Sequence, residues 1–225
     1  MGGAQMRDNT ELHLLAPPRG YIVVHPSATP SNTGGLWTAT SYPGVYEFMQ
    51  LAIEVFQIDT ERIHFTGFSQ GGRMTWWFLC NYPELLASAA PTAASEDSCI
   101  EPGWAPEVSI LYMNGETDVP SPFMAALDTM AGLRDQLGMG DGEVLAGDDG
   151  YTHTRWSNEG GTDLEFIEHN YGGQALFAGH CIPGGTDLAG APNNFGLNAT
   201  TCSTGEINFH WGEVVLDFFL KHPKR

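Results

Sequence analysis

The chain has 225 residues, 42% hydrophobic and 16% charged, enough for one folded domain (1–225) with a sizeable core and too few to expect two. Its 27 acidic against 9 basic residues give a formal charge of −18, a surface that repels phosphate and argues against a nucleic-acid partner. No stretch approaches the roughly 20 apolar residues needed to cross a bilayer, so no membrane partner is expected.

Short β-rich runs alternate with helical stretches, the pattern of a mainly parallel sheet with crossover helices. Residues 21–25 (YIVVH) read as a buried strand closed by Pro26, followed by a polar loop through Trp37. Residues 45–57 predict a helix whose apolar positions Val45, Phe48, Met49, Ala52, Val55 and Phe56 share one face. A strand over 62–68 (RIHFTGF) leads directly into a helix over 71–81, which stops near Pro83. A further strand is expected over 108–114 and a helix over 122–137. Residues 138–150 form an acidic, glycine-rich turn region. Strands over 152–157, 164–169 and 175–178 come next. The last helix, 210–222, buries Trp211, Val214, Val215, Phe218 and Phe219. The acidic pairs around Asp141, Glu143, Asp148 and Asp149 form no complete calcium loop and read as solvated turns, so no metal is expected.

Between the strand at 62–68 and the helix after it stands Gly67-Phe68-Ser69-Gln70-Gly71, a GxSxG motif in the strand–turn–helix setting of a nucleophile elbow. The turn strains Ser69 and pushes its oxygen over the sheet. Gly67 and Gly71 avoid collisions with backbone, and the Gln70 amide points where an oxyanion forms. A serine hydroxyl needs a base, and the base an orienting carboxylate. In this setting the chain order is serine, acid, histidine. Asp118 lies just past the strand ending in Gly115-Glu116-Thr117 and is the expected acid, with Glu116 and Asp97 in reserve. His180, in the loop GHCIPGG, is the expected base. His169 is second, because like His153 it lies within a strand pattern.

The four cysteines contain no CxxC, which argues against structural zinc. Cys181 and Cys202 flank a Gly-, Pro- and Asn-rich loop that a disulfide would steady, and Cys80 with Cys99 is the complementary pair. Such pairing and the sequon at Asn198 favour an extracellular or periplasmic location, although Met1-Gly2-Gly3 starts no signal peptide. The acidic surface suits high salt as well as an ordinary acidic secreted enzyme.

Together, YIVVHP, IDTERIHFTGFSQGG, NYPELLASAAPTAA, NGETD and AGHCIPGG resemble the esterase family of poly(3-hydroxybutyrate) depolymerases and feruloyl esterases, over nearly the whole chain. The resemblance implies an α/β-hydrolase fold, with a mainly parallel sheet and helices on both faces. It also implies acyl-ester hydrolysis (short polyesters, feruloyl groups or acetyl groups on xylan) with no cofactor. Among the tryptophans, Trp37 and Trp77 are candidates for an aromatic substrate wall.

Two internal positions depart from the family: Asn114-Gly115 replaces its His-Gly, and Tyr42-Pro43-Gly44 stands where acidic residues are usual. At the front, Met1–Met6 resemble the segment just after the family's oxyanion loop. The expectation is therefore an N-terminally shortened fold in which the Gly2 and Gly3 amides partly substitute for that loop. A homodimer would cover the exposed sheet edge. The alternative to an active esterase is an impaired hydrolase with a binding role. A lipase or peptidase on the same fold is a third reading, and the lack of a long apolar lid segment counts against a lipase.

Overall fold

The structure, a computed structural model, describes residues 2–28, 36–95, 99–100, 103–104, 106–172, 178–184, 201–202 and 207–224. Its centre is a six-stranded sheet of β1 (His64–Phe68), β2 (Ser88–Thr92), β3 (Ser109–Gly115), β4 (Glu143–Gly147), β5 (Tyr151–Ser157) and β6 (Asp163–His169), in the order β1-β2-β3-β6-β5-β4. The first four in that order run parallel, and β5 and β4 add an antiparallel hairpin.

The parallel strands need apolar residues on both faces, because helices cover both. Ile110 and Tyr112 of β3 join Leu164 and Phe166 under α4 (Gln70–Asn81) and α5 (Phe123–Gln136), where Trp76, Met74, Leu79, Met130 and Leu133 pack. Leu111, Met113 and Ile167 face the other way, onto Leu12 of α2 (Leu12–Leu15) and Trp211, Val215, Phe218 and Phe219 of α6 (Trp211–Lys221). The expected burial of the last helix is observed for Trp211, Val215, Phe218 and Phe219, while Val214 is only partly buried. Among the described residues no helix is long and apolar enough to cross a membrane.

Four differences from the sequence reading have physical causes. Residues 21–25 are extended but belong to no ladder. Tyr21 donates its backbone N–H to Ala16, and Ile22 and Val24 stay exposed. A strand exists only through a partner, and between this segment and β1 lies an apolar cavity of about 660 Å³. The helix expected at 45–57 is α3 (Tyr42–Phe56), but its predicted apolar face is only partly covered. Tyr42 and Val45 are buried, whereas Phe48, Val55 and Phe56 are exposed, Phe48 and Phe56 along that cavity.

The other two concern missed elements. β2 (SAAPT) carries alanines and a proline rather than β-branched residues, and it becomes a strand only because β1 and β3 flank it. β4 lies inside the expected turn region, fully exposed, and is created by pairing with β5. Asp148 caps that hairpin, accepting from the amides of Gly150 and Tyr151 and from Asn208 Nδ2. The front of the chain, assigned no element from the sequence, is the helix α1 (Gly3–Thr10). Of the strand expected at 175–178, residues 175–177 lie outside the described residues, and Ala178 is in a turn.

Candidate active site

The site is assembled at the C-terminal ends of the parallel strands, from three chain segments. The first is the turn between β1 and α4. Ser69 has φ 57° and ψ −112°, a conformation that non-glycine residues rarely adopt, and the fold holds it there by the bond from Ser69 N to Thr92 O at 2.9 Å. A Cβ on Gly67 would run into the backbone of Gly71, so glycine is required at 67. The requirement expected at Gly71 is not found, since a Cβ there meets nothing within 4 Å. It falls instead on Gly72, where a Cβ would lie 2.6 Å from Thr92 O and 2.9 Å from Ala94 Cβ. Gln70 opens α4, so its N–H is among those a helix start leaves without an intrahelical acceptor.

The second segment follows β3. Asp118 is buried, its Oδ1 accepting from Ser121 N at 2.7 Å. Beneath it Asn114 donates from Nδ2 to the carbonyls of Gly115 and Ser121, and its Oδ1 accepts from the hydroxyls of Ser121 and Tyr112. Burial pushes the Tyr112 phenol up, keeping it a donor. The Asn114 departure from the family pattern thus has a structural role: it fastens the loop that carries Asp118. Sequence reasoning singles out the residue but does not foresee the network.

The third segment brings His180. Its Nδ1–H donates to Asp118 Oδ2 at 2.8 Å, and its ring lies 4.7 Å from that of Phe68, centroid to centroid. This approach needs bare backbone on both sides. A Cβ on Gly115 would strike Gly179 O, and one on Gly179, which has φ +73°, would lie 2.5 Å from Asp118 N. The disulfide Cys181–Cys202 follows His180 directly, and Ile182 bridges Thr201. The second disulfide is Cys80–Cys99. Replacing Cys181 and Cys202 together by Ser is expected to lower stability by about 3 kcal/mol, read from urea unfolding, because the bridge closes 21 residues of sequence separation.

Ser69 and His180 line the same cavity, as do Gln70, Gly2, Gly3 and Trp37. Trp37 is tied to the elbow by its own N–H, which donates to Gln70 Oε1 at 3.0 Å. Trp77 is not brought there. It sits two turns along α4 among Tyr42, Phe78 and Tyr82 and packs against the core. Of the proposed oxyanion amides at the front, that of Gly3 donates to Ser27 Oγ at 2.8 Å. Among the reserve residues, Glu116 is exposed and Asp97 lies outside the described residues.

His169 is buried at the end of β6 with its ring stacked on that of Tyr171, and burial holds its pKa down to about 4. A histidine kept neutral in the fold but free to protonate when unfolded destabilises the native state in acid. Stability is therefore full above about pH 6.5 and falls as pH drops towards 4, by about 3 kcal/mol from this group. His169→Phe should flatten that part of the pH–stability curve, measured by urea unfolding at successive pH values.

A mainly parallel sheet with helices on both faces and a serine elbow between strand and helix is the α/β-hydrolase fold. An acetyl xylan esterase from Aspergillus awamori, of known structure, shares it at a TM-score of 0.56 and 18% identity, over 74% of this chain and 78% of that one. A thermostable esterase of known structure overlaps 58% of the chain and 28% of its own at a TM-score of 0.43 and 22% identity. In sequence, the chain is 24% identical over 132 residues to a bifunctional acetylxylan esterase/xylanase, XynS20E, from Neocallimastix patriciarum. That match covers 58% of this chain, which spans only 20% of the length of that relative. No protein-family model matches the chain.

Proposed function

We propose that the chain is a serine esterase that hydrolyses carboxylic acyl esters through Ser69, His180 and Asp118. The observation that carries this reading is a strained serine at a helix start, sharing a cavity with a histidine whose Nδ1 is bound to a buried aspartate. Ser69 Oγ attacks the ester carbonyl while His180 Nε2 takes its proton. Asp118 holds the ring and stabilises the imidazolium, and the Gln70 N–H supports the oxyanion. The proton then passes to the leaving alcohol, and water, activated by the same histidine, releases the acid. No cofactor enters these steps. The relatives named for acetylxylan esterase support acetyl esters within a range that includes feruloyl, short-chain and polyester substrates. Trp37 is proposed to contact substrate. Trp77 is not, because of where it packs.

The test is a panel of p-nitrophenyl acetate, p-nitrophenyl butyrate, methyl ferulate, acetylated xylan and a short polyester, assayed with the purified chain. Turnover of at least one, absent in the serine variant, supports the reading. A folded chain inert on all of them would leave the impaired, binding hydrolase, a reading that the engagement of the Gly3 amide by Ser27 favours.

We further read residues 1–225 as one catalytic unit that acts outside the cytoplasm, as the two disulfides support. A second copy is proposed to cover the free edge of the sheet at β1. Sedimentation should then show a dimer, and Phe56→Glu together with Ile22→Lys should shift it to monomer.

A further inference from the structure

At the opposite end of the sheet from the candidate active site, three elements converge on a cluster that this reaction does not use. Asp163 and Glu165 alternate along β6 and so project from the same face, towards α6. His153 reaches Glu165 from β5, with Nε2 2.7 Å from its Oε2. His222 caps the end of α6, with Nε2 2.9 Å from Asp163 Oδ2. Asp163 lies six residues before His169 on β6, about 20 Å along the strand from the catalytic end.

The donor atoms of Asp163, Glu165 and His222 lie within 4.8 Å of one another. Tetrahedral zinc needs donors about 3.4 Å apart, so small side-chain rotations suffice to close the set. His222 is already oriented as a ligand. Its Nδ1–H donates to the Phe218 carbonyl at 2.7 Å, which fixes the ring, and its Nε2–H donates to Asp163 Oδ2, the proton a metal ion would replace. Asp163 is supported in turn, its Oδ1 accepting from Ser157 Oγ and its backbone N–H donating to Ser109 Oγ. Glu165 and His222 are buried, and each of the two carboxylates is held by a histidine, His153 on Glu165 and His222 on Asp163. The neighbouring guanidinium, Arg155, bonds Glu143 at 2.6 Å and its charge also acts on Asp163 and Glu165.

We infer that Asp163, Glu165 and His222, with His153 as the fourth donor, bind one divalent transition-metal ion of the zinc class. Mixed imidazole and carboxylate donors suit zinc, manganese or cobalt rather than calcium. The ion is structural. It ties the C-terminus of α6 to β5 and β6 and leaves the hydrolytic steps to Ser69 and His180.

The experiment is calorimetric titration of the chelator-treated full chain with zinc chloride at neutral pH, beside Asp163→Asn, His222→Gln and His180→Ala. The expected result is one tight equivalent in the wild type, weakened at least tenfold in the first two variants and unchanged in the third. Zinc should also raise the wild-type melting temperature by on the order of 5 °C at a hundredfold excess over Kd. X-ray absorption at the zinc edge of the wild type should show two imidazoles, which keeps the test decisive if a variant fails to fold. No zinc binding would overturn the inference. So would binding indifferent to both Asp163→Asn and His222→Gln, binding lost in His180→Ala, equal affinity for calcium, or an all-oxygen shell.

Discussion

Ser69→Ala is expected to lower kcat for p-nitrophenyl butyrate by about 10⁶, or about 8 kcal/mol of barrier, with little change in the far- or near-ultraviolet circular dichroism. The effect is large because, on the proposed mechanism, Ser69, His180 and Asp118 act as a unit. His180→Ala should cost about as much, and the double variant hardly more than either alone. Asp118→Asn keeps the shape of the loop but leaves the His180 ring without the acceptor that fixes its Nδ1–H, and about 10⁴ should be lost. On the proposed mechanism the residual rate in all three comes from binding and from the Gln70 N–H. A Ser69→Ala protein that retained more than a hundredth of wild-type turnover would place the nucleophile elsewhere, and multiplying single-variant effects would dissolve the triad as a unit.

The second large effect is expected from a single methyl group. Gly179→Ala puts a Cβ 2.5 Å from Asp118 N in a residue whose φ of +73° already disfavours side chains. Both the backbone and the packing penalties apply, roughly 3–5 kcal/mol together, with a melting temperature lower by about 10 °C. The same displacement separates acid from base, and a shift of 1 Å at such a contact costs on the order of 10² in kcat. Gly20→Ala is the internal control. It has φ +84° but nothing within 4 Å of its Cβ, so only the backbone penalty of about 1–2 kcal/mol remains and activity is kept. If the two variants behave alike, the close approach of the acid and base loops has no energetic weight. Gly115→Ala should resemble Gly179→Ala, since a methyl there meets the same contact from the other side.

Much of the candidate site is legible in the sequence because its requirements are local. The elbow needs a strand, a sharp turn and a helix within a few residues, and the glycine at 67 is demanded by the turn itself. The candidate acid stands out because it follows a strand with the apolar run Ile110–Met113, and β3 is buried along its whole length. The base stands out because a flexible loop after the acid carries a histidine outside any periodic pattern. What the pattern misassigns is longer in range. It credits Gly71 with a role that belongs to Gly72, because the backbone that Gly72 approaches comes from β2, a strand whose alanines and proline give no β signal. Trp77 reads as a wall residue only because helical spacing does not say which way a helix is turned relative to a cavity.

By itself, then, the sequence determined the alternation of strands and helices, the parallel core, the elbow serine and the order of the three catalytic candidates. Each follows from periodicity, from turn chemistry or from a motif a few residues long. Only the tertiary structure decided that residues 21–25 remain outside the sheet, that β2 and β4 exist, and that Asn114 fastens the acid loop. It alone brought Asp163, Glu165, His153 and His222 to one place from residues up to 69 apart in number. Hydrogen-bond partners across a sheet, and donors converging from separate elements, are set by the packing of distant segments, and no local pattern of residues encodes that.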